Sequence, residues 1–342
     1  DIAALTKDLT LMVISTAAFG MKLSWGDDGI APIGHAMSFK KTLHYVSKGI
    51  VHRLALPDWI LNLYQFGRDT KTAYSEFSVY MREMIDHRMT SPEGREDLFS
   101  NLLRAREEEK DGTTMFSDSD LFGNIFVLMF AGHETSAATL AFALTYLAIY
   151  PDVQAKWLEQ ISRHVKPGQL PTYADIPKLT YGTAIIQETL RLQPIAHTIP
   201  RESMHDTQFS TRKCNGEAVT VPIPKVHPRG CEAHVPFTAT YWDRPHDFIP
   251  ERFLGEYNKD AWIPFFAGAR ACIGRRFAEI ELLAVLALVV QYYEISVTPN
   301  PKYGQESSAE QRARLLDIDE AVFVLRPKEI GLTFKKRHAA ER

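Results

Sequence analysis

Apolar residues recur at helical spacing through most of the chain. A helix begins at once after Asp1, with Leu5, Leu9, Met12 and Val13 on one side. Residues 74–89 carry Phe77, Tyr80, Met81, Met84 and Ile85 on one helical face, and Ser91-Pro-Glu-Gly ends that helix. Residues 98–109 resume as a helix that becomes a charged, solvated surface at Arg104-Ala-Arg-Glu-Glu-Glu-Lys. A long helix then starts after Ser117, with Asp118 or Ser119 as its N-cap, and runs apolar almost all round to Tyr150, where Pro151 breaks it. Its length and apolarity suit a membrane span. Asn124, His133 and Glu134 lie inside it, however, and charge at bilayer depth is costly. The pattern therefore predicts a buried central helix.

Two further helices follow over 151–164 and 179–192. From Gln193 to Arg252 prolines and glycines crowd in, with short alternating runs such as Glu217-Ala-Val-Thr-Val, which predicts small strands and ordered turns. A last strong helix covers 275–293, and the tail holds two short strands, Ala321-Val-Phe-Val-Leu and Ile330-Gly-Leu-Thr-Phe. The fold class is mainly α with a small β-sheet.

Composition changes this picture in three respects. A length of 342 residues sets a soft prior of about two domains. The balance of 39 basic against 42 acidic residues, net −3, offers no basic excess for nucleic acid. The three cysteines, Cys214, Cys231 and Cys272, form no C-x-x-C pair, which argues against a zinc ribbon, a redox dithiol or covalently attached haem.

The chemistry is narrowed first by elimination. His133-Glu134 opens like the zinc-protease pattern H-E-x-x-H, but the second ligand position is Ala137. No G-x-S-x-G elbow, Walker loop or G-x-G-x-x-G is present. Within Ala131-Gly-His-Glu-Thr-Ser136, Gly132 costs about 1 kcal/mol relative to Ala inside a helix. A close approach by a flat group would explain it, and so would a simple packing kink. Thr135 beside Glu134 sets a hydroxyl next to an acid and can loosen the helix by bonding a preceding carbonyl. Glu188 and Arg191 form an i,i+3 pair that, alone, reads as an ordinary surface pair. The strongest segment is Phe265-Phe-Ala-Gly-Ala-Arg-Ala-Cys-Ile-Gly274. It sets a thiol between glycines at the mouth of a helix, near Arg270, Arg275 and Arg276, where a thiolate is favoured.

Taken together these motifs resemble those of the cytochrome P-450 superfamily. Phe265, Gly268, Arg270, Cys272 and Gly274 match its F-x-x-G-x-R-x-C-x-G haem loop, and Ala131–Ser136 is similar to its oxygen-activation stretch. Glu188 and Arg191 match its E-x-x-R, and Arg252 the arginine of its P-E-R-F. The resemblance implies haem b (iron protoporphyrin IX) with Cys272 as axial thiolate to the iron. It also implies Arg270 and Arg201 on the haem propionates. Phe265 would shield the sulfur, and Gly268 and Gly274 would let backbone approach it. Ala131 and Gly132 would let the long helix pass over the haem. Thr135 and Glu134 would be the catalytic pair delivering protons, and Glu188, Arg191 and Arg252 a structural charged triad. Substrate would meet Phe130, Ile195, Ala196, His197 and Ile199. The implied activity is a monooxygenase that inserts one oxygen atom of O2 into an apolar small molecule. Its electrons would come from NADPH through a cytochrome reductase at the cytoplasmic face of the endoplasmic reticulum membrane.

The family's membrane anchor, its first helices and strands and its W-x-x-x-R helix have no counterpart in the sequence; Trp25 is followed by Gly-Asp-Asp-Gly. The expectation is thus a single domain over residues 1–342 that lacks the N-terminal part of the family's fold. Two other readings stay beside it: a non-catalytic or haem-poor fragment, and an enzyme that uses peroxide or rearranges an oxygenated substrate without a reductase.

Overall fold

The computed structural model describes all residues except 26–29, 91–95, 109–116, 167–168, 214–215, 226–227, 233–239, 305, 321–323, 329 and 338–342; the side chains of 108, 198–201, 228–232 and 320 also lie outside the described set. The chain divides into two compact units, Ala3–Ala137 and Asp1–Ile2 with Ala138–Arg342. The elements are helical for the most part, with small antiparallel sheets, as the sequence pattern predicts.

The first unit is built on α1 (Ile2–Phe19), α2 (Phe39–Ala55), the short α3 (Asp58–Leu61), α4 (Gln65–Thr90), α5 (Leu98–Glu108) and the leading part of α6 (Asp118–Ile149). Its core gathers Leu11, Ile14 and Phe19 of α1, Leu43 and Val46 of α2, Phe77 and Met81 of α4, Phe99 of α5, and Leu121, Ile125 and Met129 of α6. Ser38 caps α2, accepting from the Lys41 N–H. Where α2 meets α4, a Cβ on Gly49 would lie 2.3 Å from Thr70 Cγ2, so the helices approach there with no side chain between them. Helix α4 begins at Gln65, nine residues before the periodic run; Gly67, Thr70 and Ala73 extend its buried face through residues too small to register as apolar.

Two details correct the expectations. The buried side of α1 is Thr6, Thr10, Leu11, Ile14, Ser15 and Ala18, whereas Leu5 is exposed. Thr6 and Thr10 donate back to the Ala3 and Thr6 carbonyls, which lets hydroxyls enter the interior at positions hydropathy assigns to solvent. The cap of α6 is Ser117, not Asp118 or Ser119: its Oγ accepts from the Asp120 N–H, while the Asp120 carboxylate accepts from the Ser117 N–H.

Asp97 caps α5, accepting from the Ser100 N–H at 2.8 Å. The Arg88 fork grips both of its oxygens at 2.9 Å and also donates to the Phe19 carbonyl, tying the ends of α1 and α4 to the start of α5. Burial pushes the Asp97 carboxyl up, but Arg88 and the Ser100 N–H and O–H outweigh burial and hold it below its ordinary value of 3.8. A carboxyl depressed in the folded state contributes stability above its unfolded pKa and loses it as pH falls through the folded value. Urea unfolding of the native chain and of Asp97→Asn should therefore differ at neutral pH, start to draw together as pH falls below about 4 and meet only once it passes the folded value. A constant difference across that range would contradict this origin.

The second unit carries the rest of α6, α7 (Pro151–His164), α8 (Thr180–Leu192) and α9 (Arg275–Tyr292), with the short α10 (Ser308–Leu315). Pro151 occupies the first helical position of α7, where its missing N–H costs nothing. Gly182 of α8 faces Trp157 of α7 and Leu283 of α9, and a Cβ there would come within 2.4 Å of the indole. Trp157 is fully buried, so these three helices lock around an indole set against a bare backbone. Among the described residues the strands form four two-stranded antiparallel ribbons: β1 (Thr198–Glu202) with β4 (Pro228–Glu232), β2 (Thr207–Arg212) with β3 (Ala218–Ile223), β5 (Tyr293–Val297) with β8 (Leu332–Lys336), and β6 (Ile318–Glu320) with β7 (Leu325–Pro327). The predicted strand over 321–325 lies largely outside the described residues, as do Cys214 and the side chain of Cys231.

Candidate functional site

In the first unit the site residues lie on α6, where the helical period sorts them onto different sides. Asn124, Val127 and Ala131 are exposed and Thr135 partly so, at spacings of three and four that form one open stripe. Thr135 Oγ1 donates to the Ala131 carbonyl at 2.8 Å, the local back-bond that residue type makes in helices. Phe130 is half-buried and stacks on Phe126.

The neighbouring three residues turn toward α1 instead. A Cβ on Gly132 would sit 3.1 Å from Ile14, so the near neighbour of this glycine in the described structure is a side chain of α1. The His133 carbonyl accepts from Thr10 Oγ1 at 3.0 Å, and His133 Nδ1 bonds the Met129 carbonyl at 2.8 Å, which places the proton on Nδ1. Glu134, 3% exposed, is ion-paired to Lys7 Nζ at 2.8 Å. Sequence reasoning missed Lys7 and Thr10. The available signal was that Lys7 and Asp8 are the two charged residues in an otherwise apolar α1.

In the second unit, residues 265–274 form a bent loop leading into α9. The Cys272 N–H donates to the Phe265 carbonyl at 2.9 Å and closes the loop. Gly268 takes a φ of +76°, available to glycine without strain. Phe266 takes +56°, a left-handed conformation that costs an L side chain roughly 1–2 kcal/mol. Gly274 is the N-cap of α9 and offers no side chain to its free N–H groups, and the first turn of α9 holds no acid. Arg275 and Arg276 follow at once, so cationic side chains and free N–H groups gather beside Cys272. The thiol is free and exposed, as is Arg270, and the adjacent Ile273 is 92% exposed. Phe265 is half-buried under the Arg275 guanidinium, whose carbon stands 5.3 Å from the ring centre.

A soft sulfur donor, an exposed guanidinium two residues away and uncovered apolar side chains suit a haem in donor type: sulfur for the iron, a cationic fork for a propionate, apolar contact for the ring. Among the described residues no cluster of three His, Cys, Asp or Glu could hold a bare metal ion.

Behind this loop, the structure brings Glu188, Arg191 and Arg252 together. Arg191 Nε and Nη2 donate to the two Glu188 oxygens at 2.5 and 2.9 Å. Arg252 Nε and the Ile249 N–H also donate to Glu188 Oε1, at 3.0 and 2.8 Å. The surplus positive charge faces main-chain carbonyls: Pro245 and Asp247 accept from Arg191, Asp243 and Arg244 from Arg252. Both guanidinium carbons lie within 6 Å of the Trp242 ring centre, at 5.4 and 5.9 Å.

The segment after α8 is mixed. The Ile195 side chain is packed inside and its carbonyl accepts from the Leu325 N–H. Ala196 and His197 are half-buried, and His197 Nδ1 is buried with no hydrogen-bond partner. The side chains of Ile199 and Arg201 lie outside the described residues.

Comparison with known proteins adds three findings. The sequence profile of the family described as Cytochrome P450 matches residues 1–316. The chain is 43% identical to cytochrome P450 monooxygenase 124 of Postia placenta over 98% of its own length and 66% of that protein's. It is 30% identical to cytochrome P450 3A31 of Mesocricetus auratus over 69% of its length and 46% of that protein's. Among solved structures, a cytochrome P450 superposes with a TM-score of 0.73 at 26% identity, covering 98% of this chain and 68% of that one. The cytochrome P450DA heme domain superposes with a TM-score of 0.79 over 100% of this chain and 69% of that one, a likeness of fold alone at 23% identity.

Proposed function

Because the chain belongs to the cytochrome P450 family, we propose that it serves as the catalytic domain of a haem-thiolate monooxygenase. The proposed reaction joins R–H and O2 with two electrons and two protons to give R–OH and water. R–H is an apolar small molecule, and NADPH supplies the electrons through a cytochrome reductase. The observation that carries this reading is Cys272, exposed on a loop bent at Gly268 and seated at the positive start of α9.

Bound haem b would supply the electron-transfer and O–O cleaving chemistry, which a cysteine sulfur donor promotes. The chain's own residues have these tasks. Cys272, at the N-terminus of α9, would hold the iron through its sulfur. Arg270 and Arg201 bind propionates, and Phe265 keeps water from the sulfur. Gly268 and Gly274 keep side chains off the loop, and Ala131 and Gly132 keep α6 slim. Thr135 and Glu134 hold and pass protons. Glu188, Arg191 and Arg252 fix the segment preceding the loop. Phe130, Ala196, His197 and Ile199 contact substrate, and Ile195, whose side chain is packed inside, anchors the segment that follows α8.

All the motifs between Gly132 and Gly274 address one cofactor, which is the reason to read residues 1–342 as one catalytic domain. For the whole protein we place this domain at the cytoplasmic face of the endoplasmic reticulum membrane. Two helices, Ile2–Phe19 and Asp118–Ile149, are long and apolar enough to cross a membrane; in the second, 61% of the apolar window is buried, which supports a core helix.

The test is titration of the purified chain with haem. Saturation at one equivalent should be followed, after reduction under carbon monoxide, by the long-wavelength band from which the family takes its name. Haem uptake without that band would reject thiolate ligation.

A further inference from the structure

Three consecutive residues of α6 are matched, in reverse order, by three residues along one side of α1. Ile14 fills the space over Gly132, Thr10 Oγ1 donates to the His133 carbonyl at 3.0 Å, and Lys7 Nζ reaches Glu134 Oε1 at 2.8 Å. Lys7, Thr10 and Ile14 are spaced by three and four, one turn after another, so a single face of α1 reads the oxygen-activation segment residue by residue. All six residues lie in the unit Ala3–Ala137.

The pairing has a directional consequence. Successive residues on a helix point about 100° apart, so adjacent side chains do not face one another. Thr135 belongs to the open stripe with Ala131, whereas Glu134 turns toward α1 and is almost fully buried. A buried carboxylate is costly unless a cation meets it. Lys7 meets it, and with 29% of its side chain exposed it spans the distance from that oxygen to solvent. His133 also faces Glu134, its Nε2 3.6 Å from the same oxygen, too far for a hydrogen bond.

We propose that Lys7 is a positioning residue for Glu134: it keeps the carboxylate charged, fixes it on the α1 side of α6 and links it to solvent. The proton that Glu134 passes on is then replaced from Lys7, whose side chain is 29% exposed and which regains its proton from water. This rests on the proton-relay reading of Glu134 and Thr135 given above. It adds a residue from a different helix, more than a hundred positions away in sequence, to that relay.

The experiment has two arms. In the haem-free chain, a double-mutant cycle of Lys7→Met and Glu134→Gln, read by urea unfolding, should give a coupling clearly different from zero. Zero coupling overturns the proposal. In the haem-loaded chain with its electron donor and no added substrate, reduced O2 leaves as hydrogen peroxide, taking two electrons and two protons, or as two waters, taking four of each. Slower proton supply shifts this partition toward peroxide. Lys7→Met should raise the peroxide share several-fold, Lys7→Arg should restore it, and Lys7→Met should add nothing in a Glu134→Gln background. Equal behaviour of the Met and Arg variants, or additivity with Glu134→Gln, overturns the positioning role. Absence of the thiolate band with the coupling intact identifies instead a failure of the monooxygenase reading, and the relay falls with it.

Discussion

Replacing Cys272 by serine should abolish the long-wavelength band of the reduced carbon monoxide complex and bring monooxygenase turnover down to background. Folding should be unaffected. The thiol is exposed and its side chain fills no core, so the substitution removes a donor atom without opening a cavity. The loop's own support is main-chain: the bond from the residue 272 N–H to the Phe265 carbonyl and the left-handed turn at Gly268 both survive the exchange. Serine keeps the size and loses the soft, ionisable sulfur that would ligate iron. Unchanged far-ultraviolet circular dichroism with a vanished band is the expected pair of results. A band that persists in the variant would take the ligand role away from Cys272.

The second large effect is expected on stability. Glu188→Ala should cost about 3–5 kcal/mol in urea unfolding, because removing one member of a buried ion pair strands the others. Glu188 is fully buried and takes four donors, from Arg191, Arg252 and the Ile249 main chain. Without it Arg191, itself 1% exposed, loses its carboxylate and faces neutral partners such as the Pro245 and Asp247 carbonyls and the Trp242 ring. Glu188→Gln should be costly as well, since an amide cannot neutralise two guanidinium groups. A loss below about 1 kcal/mol, the worth of an exposed pair, would mean the network contributes little to stability.

The helices of the second unit were legible because their ends carry punctuation. Pro151 opens α7, and the glycine-flanked cysteine loop announces α9; the predicted bounds of α7, α8 and α9 fall within one residue of those observed. Helix α1 was legible as a helix but not in its orientation. Hydropathy follows Leu5 and Leu9, whereas packing followed Thr6 and Thr10, whose hydroxyls are satisfied inside their own helix. The cysteine loop showed its chemistry in Gly268, Arg270 and Cys272, yet Phe266, the strained residue of the same loop, has no sequence signal, since an aromatic residue does not advertise a positive φ. Likewise Glu188 and Arg191 were visible as a pair one helical turn apart, while the carbonyls and N–H that complete their shell belong to the backbone and carry no residue identity.

That last point bears on which substitutions the segment from Asp243 to Arg252 can accept through inheritance. The two guanidinium groups address the carbonyls of residues 243, 244, 245 and 247, and the carboxylate addresses the N–H of residue 249. The turn's backbone shape is therefore under constraint, in addition to the buried Phe248 stacked on Tyr146 and the Glu251 carboxylate held by Lys156 and Tyr181. Position 244, with a φ of +44°, would accommodate glycine or asparagine at least as comfortably as its arginine. Glu188, Arg191 and Arg252 can change only together, whereas exposed positions such as Asp243 and Arg244, which lend the network only their carbonyls, can change one at a time.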